Sequence, residues 1–196
     1  TLPDGTLVWL NAGSRITYSQ GFGVGNRKIE LIGEGYFEVK RNEEVPFLVK
    51  TNSLLVKVLG TKFNFRDYPD DAEAIVSLSE GKVALNNLLK KEKEAFLLPN
   101  ERVVLNKKNG RMHVEYSTVS NALQWTNGYL FFDEELLPDV VKELERSYNV
   151  KIQIASDTLN TFRFYGNFVH REQNIQEVLE ALSATRKIHY IIEGHN

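Results

Sequence analysis

The chain contains no cysteine. That excludes disulfides, a thiol nucleophile and thiolate metal sites, and it leaves the compartment open, since both cytosol and periplasm suit such a chain. It also lacks any apolar run of about 18 residues and any opening signal-peptide pattern, so no segment reads as a membrane-spanning helix. Charge of one sign is missing too. The 24 basic and 26 acidic side chains give a net charge of −2, and no long block of either sign offers a footprint for nucleic acid. The four histidines, His113, His170, His189 and His195, are scattered without metal-ligand spacing, and neither a Gly-x-Ser-x-Gly elbow nor a P-loop occurs. No catalytic, cofactor or metal site is therefore expected. The first residue is Thr1 rather than Met, which reads as a fragment or processed product.

What is present is ordinary for a folded protein. A hydrophobic content of 42% and a charged content of 26% suit a globular chain, and 196 residues suffice for one large or two modest domains. Up to about Tyr116, short runs of strand period recur every eight to twelve residues, each closed by turn chemistry, which is the pattern of an antiparallel β-sandwich or solenoid. The turns include Pro3-Asp4-Gly5, Glu80-Gly81 and Asn109-Gly110, the last a strong hairpin signal. Gly21-Phe22-Gly23-Val24-Gly25 resembles a phosphate loop only superficially, because a strand pattern follows it where a helix would be required. Lys28–Ile32 and Gly33–Lys40 read as successive strand segments. Glu34 and Glu38 fall on one strand face about 13 Å apart, too far for a paired-carboxylate site, and are expected on a solvated face. The mixed charge run Lys90–Glu94 reads as a solvated hairpin end.

After a polar connector the period changes from 2 to 3.6. Leu137, Val140, Val141, Leu144 and Tyr148 share one helical face, as do Ile175, Val178, Leu179 and Leu182. The two stretches are one pattern used twice, 38 residues apart: Gly128 matches Gly166, Val140 matches Val178, Leu144 matches Leu182, and Val150 matches Ile188. Each copy reads strand, helix, strand, with Pro138 tolerated in a first helical turn. The expected organisation is therefore an all-β domain over 1–118, a connector over 119–124, and a small duplicated βαβ domain of α+β class over 125–196. The last 72 residues hold 7 basic and 11 acidic side chains, net −4, an imbalance that would suit a basic partner surface but is ordinary for a solvated domain.

The landmark of the β half is Val56-Lys57-Val58-Leu59-Gly60-Thr61-Lys62-Phe63-Asn64-Phe65. Its apolar positions alternate on either side of a Gly-Thr step, so it reads as strand, bend or bulge, strand, with glycine admitting a close backbone and the Thr61 hydroxyl satisfying a freed backbone group. Val-Leu-Gly-Thr-Lys-Phe-Asn resembles the signature of FecR-type anti-sigma regulators. Leu2–Gly5, Val8–Ser14, Gly33–Val39 and Glu80–Val83 resemble further segments of that family in order and spacing, with Gly35 and Asn100 as small departures. Trp125–Phe132 and Leu144–Ile152 resemble the family's C-terminal domain, which is similar to the short signalling domains of secretins and TonB-dependent transducers.

The resemblance implies a regulator without catalysis, the periplasmic part of a single-pass inner-membrane protein. Its implied partners are the periplasmic signalling domain of a TonB-dependent transporter and, through a cytoplasmic segment outside this chain, an ECF-type sigma factor. An exposed strand edge within 125–196 is the expected contact, by β-addition. Tyr129, Phe131, Arg146 and Tyr148 are the candidate partner-binding residues, because aromatics and arginine dominate contact energetics; Tyr148 also fits a core position. A second reading is a glycan-binding β module of the cell envelope, with Trp9, Tyr18 or Phe22 as a stacking platform. A hydrolase on a β scaffold would lack a visible nucleophile or paired acids.

Overall fold

Arg27–Glu38 forms one twelve-residue strand, β3, in the computed structural model of the chain, which describes residues 1–193. The two segments expected on either side of Gly33 are therefore continuous. Gly33 passes through φ +97° without leaving the ladder, and a Cβ there would sit 2.9 Å from the Cα of Ser14, so glycine is what lets the strand cross this point. Along one side of β3 lie β1 (Leu7–Leu10) and β2 (Arg15–Tyr18), end to end and antiparallel to it. Along the other side its N-terminal part pairs in parallel with β4 (Phe47–Lys50). Its C-terminal part pairs antiparallel with β6 (Lys62–Asp67).

β3 thus belongs to two arms of one eleven-stranded sheet. One arm continues from β4 through β5 (Leu54–Val58) and β8 (Val83–Asn87) to β9 (Ala95–Leu97). The other continues from β6 through β7 (Glu73–Glu80) and β10 (Glu101–Asn106) to β11 (Met112–Tyr116). Period-2 burial aims Phe47, Val56 and Leu85 from the first arm, and Phe63, Phe65, Val76 and Val103 from the second, into a single apolar cluster. Phe37 stacks on Phe63 within it, ring centroids 5.0 Å apart. Because both arms face one core, the sheet is nearly barrel-like and mainly antiparallel, as the sandwich-type pattern of the sequence implies.

The Gly-Thr step carries the chain from the first arm to the second. A Cβ on Gly60 would lie 2.8 Å from the Cα of Arg41, a close approach only glycine permits. Leu59 accepts a hydrogen bond from the Asn42 N–H at 2.7 Å, and Thr61 accepts one from the Val39 N–H at 3.0 Å. The buried Thr61 hydroxyl donates to the Lys82 carbonyl at 3.1 Å, and a bulge in the β6–β7 ladder follows at Lys62/Phe63. Thr61→Val keeps the shape and strands that carbonyl, so it is expected to cost about 1–2 kcal/mol. Urea unfolding should show a lower midpoint at unchanged slope. Elsewhere Asn100 takes φ 65°, in keeping with a turn that survives with asparagine in place of glycine.

By its contacts the chain divides into two units, Thr1–Thr126 and Asn127–Asn196. The first closes with a short helix, α1 (Val119–Ala122), and a 3-10 turn at Gln124–Asn127 runs into the second. The second is α+β: β12 (Tyr129–Leu136), α2 (Leu137–Tyr148), β13 (Arg163–Val169) and α3 (Ile175–Ala184), with β12 and β13 antiparallel. α2 begins with Pro138 in its first turn and stops at Asn149, in the left-handed region at φ 52°. α3 opens on a capping box between Asn174 and Glu177. Leu130, Phe132, Phe164 and Phe168 meet Val140, Leu144, Val178 and Leu182 in one core, so equivalent positions of the two copies are buried alike.

The copies are less complete as ladders than as patterns. Residues 150–154 and 188–192 carry the closing-strand alternation, and Ile152, Ile154 and Ile188 pack on the core, but neither segment joins a sheet among the described residues. The Ile152 N–H instead donates to the Glu145 carboxylate at 2.9 Å. Apolar alternation places a segment against a core, whereas a ladder also needs a neighbouring backbone in register.

Candidate functional site

Two clusters of side chains stand out, one in each unit. In the first, Glu34 is buried at 4% exposure, which corrects the solvated-face expectation. Its Oε1 accepts from Asn64 Nδ2 at 2.8 Å, and its Oε2 accepts from Asn11 Nδ2 at 2.9 Å and from the Arg66 guanidinium at 3.1 Å. Arg66 also reaches Asp71 at 2.9 Å, and Trp125 Nε1 donates to Asn64 Oδ1 at 3.2 Å. Three of the family-like segments thus converge on one carboxylate, and the tryptophan that follows the β-strands closes over them. Burial, pairing and hydrogen bonding are all used internally, so the cluster specifies the fold rather than offering free groups to a substrate.

In the second unit, β12 and β13 alternate cleanly. Leu130, Phe132, Phe164 and Phe168 point to the helices, and Tyr129, Phe131, Tyr165 and Asn167 point to the opposite face. Phe131 is 37% exposed and Tyr165 64%. Across the ladder Phe131 faces Asn167 and Tyr129 faces Val169, which makes one outward sheet face with three aromatic rings. Its rim carries more acid than base: a bulge between Phe132 and Glu135 presents Asp133 and Glu134, with Glu134 at φ 52°, and Arg163 donates to the Glu134 carbonyl at 2.6 Å. The Tyr165 hydroxyl is pushed above its ordinary pKa, chiefly by a hydrogen bond to the Glu134 carboxylate, then by burial and the negative charges of Glu134 and Asp133. Such a face suits contact with a protein surface carrying positive charge.

Backbone directions follow from one bond. The His170 N–H donates to the Gly128 carbonyl at 2.9 Å, so these two residues face each other, and so, at period 2, do Leu130 with Phe168 and Phe132 with Gly166. Phe131, Tyr165, Asn167 and Val169 therefore direct their N–H and C=O groups away from the ladder. At Val169 those groups are occupied by Gln173 and Glu172. β13 pairs only with β12 among the described residues; on its other edge the Arg163 carbonyl accepts from Lys187 Nζ at 3.4 Å, and the stretch through Tyr165 and Asn167 has no ladder partner there.

Of the candidate residues, Tyr129 and Phe131 lie together on this face. Arg146 and Tyr148 lie on α2. Arg146 pairs with Glu143 at 3.3 Å with 11% of its side chain exposed, and the Tyr148 hydroxyl donates to the Gln173 carbonyl at 2.9 Å. Tyr148 packs against the core and leans on His170, ring centroids 4.8 Å apart, and its pKa is raised by burial first and by the Glu177 charge second. Tyr165 was not singled out by sequence, because its equivalent in the first copy is Asn127 and only pairing with β12 shows which face it joins. Among the described residues no group of His, Asp and Glu is arranged to hold a metal, and His195 lies outside them. The three rings of the glycan reading form no shared platform: Phe22 is core at 4% exposure, Tyr18 leans on it, and Trp9 tilts at 40° against Tyr36.

Comparison with known proteins bears on both units. The family model described as FecR protein matches residues 1–84, and that described as FecR, C-terminal matches residues 129–196. A crystal structure of a candidate anti-sigma factor from Parabacteroides distasonis is similar at 34% identity and a TM-score of 0.88, over 99% of this chain and 89% of that one. A second crystal structure bearing the same description, also from Parabacteroides distasonis, is similar at 35% identity and a TM-score of 0.87, over 98% and 88%. No curated protein matches the chain.

Proposed function

This chain belongs to the FecR family of anti-sigma regulators, and from that premise we propose that it is the periplasmic sensor portion of one. In this reading it receives the state of an outer-membrane TonB-dependent transporter by direct contact with the transporter's periplasmic signalling domain. A cytoplasmic segment outside this chain then controls an ECF-type sigma factor, and a single membrane-spanning helix joins the two. No helix among the described residues is long and apolar enough to cross a membrane, so the anchor would lie elsewhere in the protein.

The observation that carries the reading is the outward face and open edge of β12–β13, in the unit matched by the family's C-terminal model. A sheet with helices on one side only leaves its other face and its edges for a partner, and an extended partner strand could lengthen it at β13. Aromatic rings at Tyr129, Phe131 and Tyr165 would supply contact area at low entropic cost, and Asp133 with Glu134 would select a cationic neighbour. Nothing in this scheme requires catalysis.

Phe131→Ser with Tyr165→Ser tests the face. Both side chains are exposed, so the fold should persist, with thermal unfolding within a few degrees of the parent. Affinity for the periplasmic signalling domain of its TonB-dependent transporter should fall at least about tenfold. Unchanged affinity in surface plasmon resonance would remove the face from the proposed contact.

A further inference from the structure

Every residue from Leu88 to Glu94, between β8 and β9, is exposed, and its two leucines are held outward rather than folded back on the core. Asn87 does the holding. Its buried side chain accepts from the backbone N–H of Leu89 at 3.0 Å and of Lys90 at 3.2 Å, while its amide donates to the Gly110 carbonyl at 2.9 Å and to Glu92 at 3.2 Å. The Leu88 N–H is tied to the Ser53 carbonyl at 2.9 Å. One asparagine therefore fastens the 88–94 loop to the turn between β10 and β11, and a Cβ on Gly110 would lie only 3.4 Å from the Cβ of Lys90.

The joined tip has a composition that neither loop shows alone. Lys90, Lys91 and Lys93 come from one loop and Lys108 and Arg111 from the other, five cations against the carboxylates of Glu92 and Glu94. Lys107, the remaining cation of the turn, is engaged by Asp67 at 2.6 Å, and Lys90 pairs with Glu92 at 3.0 Å. Leu88 and Leu89 stand among these cations at 41% and 45% exposure. Ordering two leucines into solvent costs free energy unless something covers them. Half-exposed leucines among lysines match a soft planar surface that is anionic at its headgroups and apolar beneath them.

We propose that this tip docks on an anionic lipid bilayer, with Leu88 and Leu89 entering the interface and Lys91, Lys93, Lys108 and Arg111 meeting lipid phosphates. The assignment is separate from the transporter relay and stands or falls without it. The test is co-sedimentation of the 196-residue chain with vesicles of phosphatidylglycerol and phosphatidylethanolamine, and with vesicles of phosphatidylcholine alone. Binding should require phosphatidylglycerol and weaken as salt rises. Neutralising lysines should lower partition about fivefold each, hence about a hundredfold for Lys91→Gln, Lys93→Gln and Lys108→Gln combined. Leu88→Ser with Leu89→Ser should lower it about tenfold. All these side chains are exposed, so circular dichroism should be unchanged. Absence of partition, or equal partition by the parent and the triple-lysine variant, would overturn the proposal. Loss of binding to the transporter's signalling domain in the tip variants, without vesicle binding by the parent, would overturn it in favour of an acidic protein surface.

Discussion

Glu34→Ala is expected to destabilise the β unit by about 3–5 kcal/mol, the range for breaking a buried, hydrogen-bonded ion pair. The carboxylate is the common acceptor for Asn11, Asn64 and Arg66, donors drawn from a turn and from the neighbouring strand. Its loss removes the acceptor of three bonds at once, and leaving buried donors unsatisfied costs more than the bonds themselves contribute. Asn64 would also hold Trp125 less firmly, so the tryptophan emission should move to longer wavelength before the global transition. Glu30→Ala, on an exposed position of the same strand, should shift stability by no more than about 0.5 kcal/mol. Urea denaturation followed by far-ultraviolet circular dichroism checks both. A Glu34 variant as stable as the parent would mean that the cluster is not what fastens β3 to its neighbours.

Asn167→Pro should reduce affinity for the transporter's signalling domain at least about a hundredfold while the second unit stays folded. The Asn167 N–H points away from β12, so proline removes a donor that only an added strand would use. Phe168→Pro is the informative contrast. Its N–H lies within the ladder and its ring within the core, so that change should unfold the unit outright. Calorimetric titration distinguishes three cases. Weak binding by a folded Asn167 variant supports strand addition at β13. Normal binding moves the contact to the aromatic face or to another edge. An unfolded Asn167 variant would mean that β13 is not an edge in solution.

Local features were legible in the sequence because they are set by local forces. Alternation at Val56, Val58, Phe63 and Phe65 marks strands, Asn109-Gly110 marks a hairpin, and the equivalence of Val140 with Val178 marks a repeated helix face. Even the Thr61 hydroxyl could be anticipated as the group that satisfies a freed carbonyl. What eluded the sequence depends on residues far apart. The strand period puts Glu34 and Glu38 on one face but cannot say that Asn11, Asn64 and Arg66 cover the first of them. The continuity of β3 through Gly33 depends on how Ser14 approaches it. Likewise the face shared by Phe131 and Tyr165 exists only through the β12–β13 register, and the apolar helix period shared by Tyr148 could not reveal its bond to Gln173. The family-like segments were recognisable in sequence, while the convergence of three of them on one buried carboxylate is a property of the fold.

In the proposed relay this chain receives a signal by binding a transporter's periplasmic signalling domain. The most direct measurement is calorimetric titration of the 196-residue chain with that domain, isolated from a TonB-dependent transporter of the same organism. Saturable one-to-one binding is expected, lost with Asn167→Pro and weakened by Phe131→Ser with Tyr165→Ser. No binding, with both proteins shown to be folded, would contradict it and leave an anti-sigma regulator whose input comes from elsewhere.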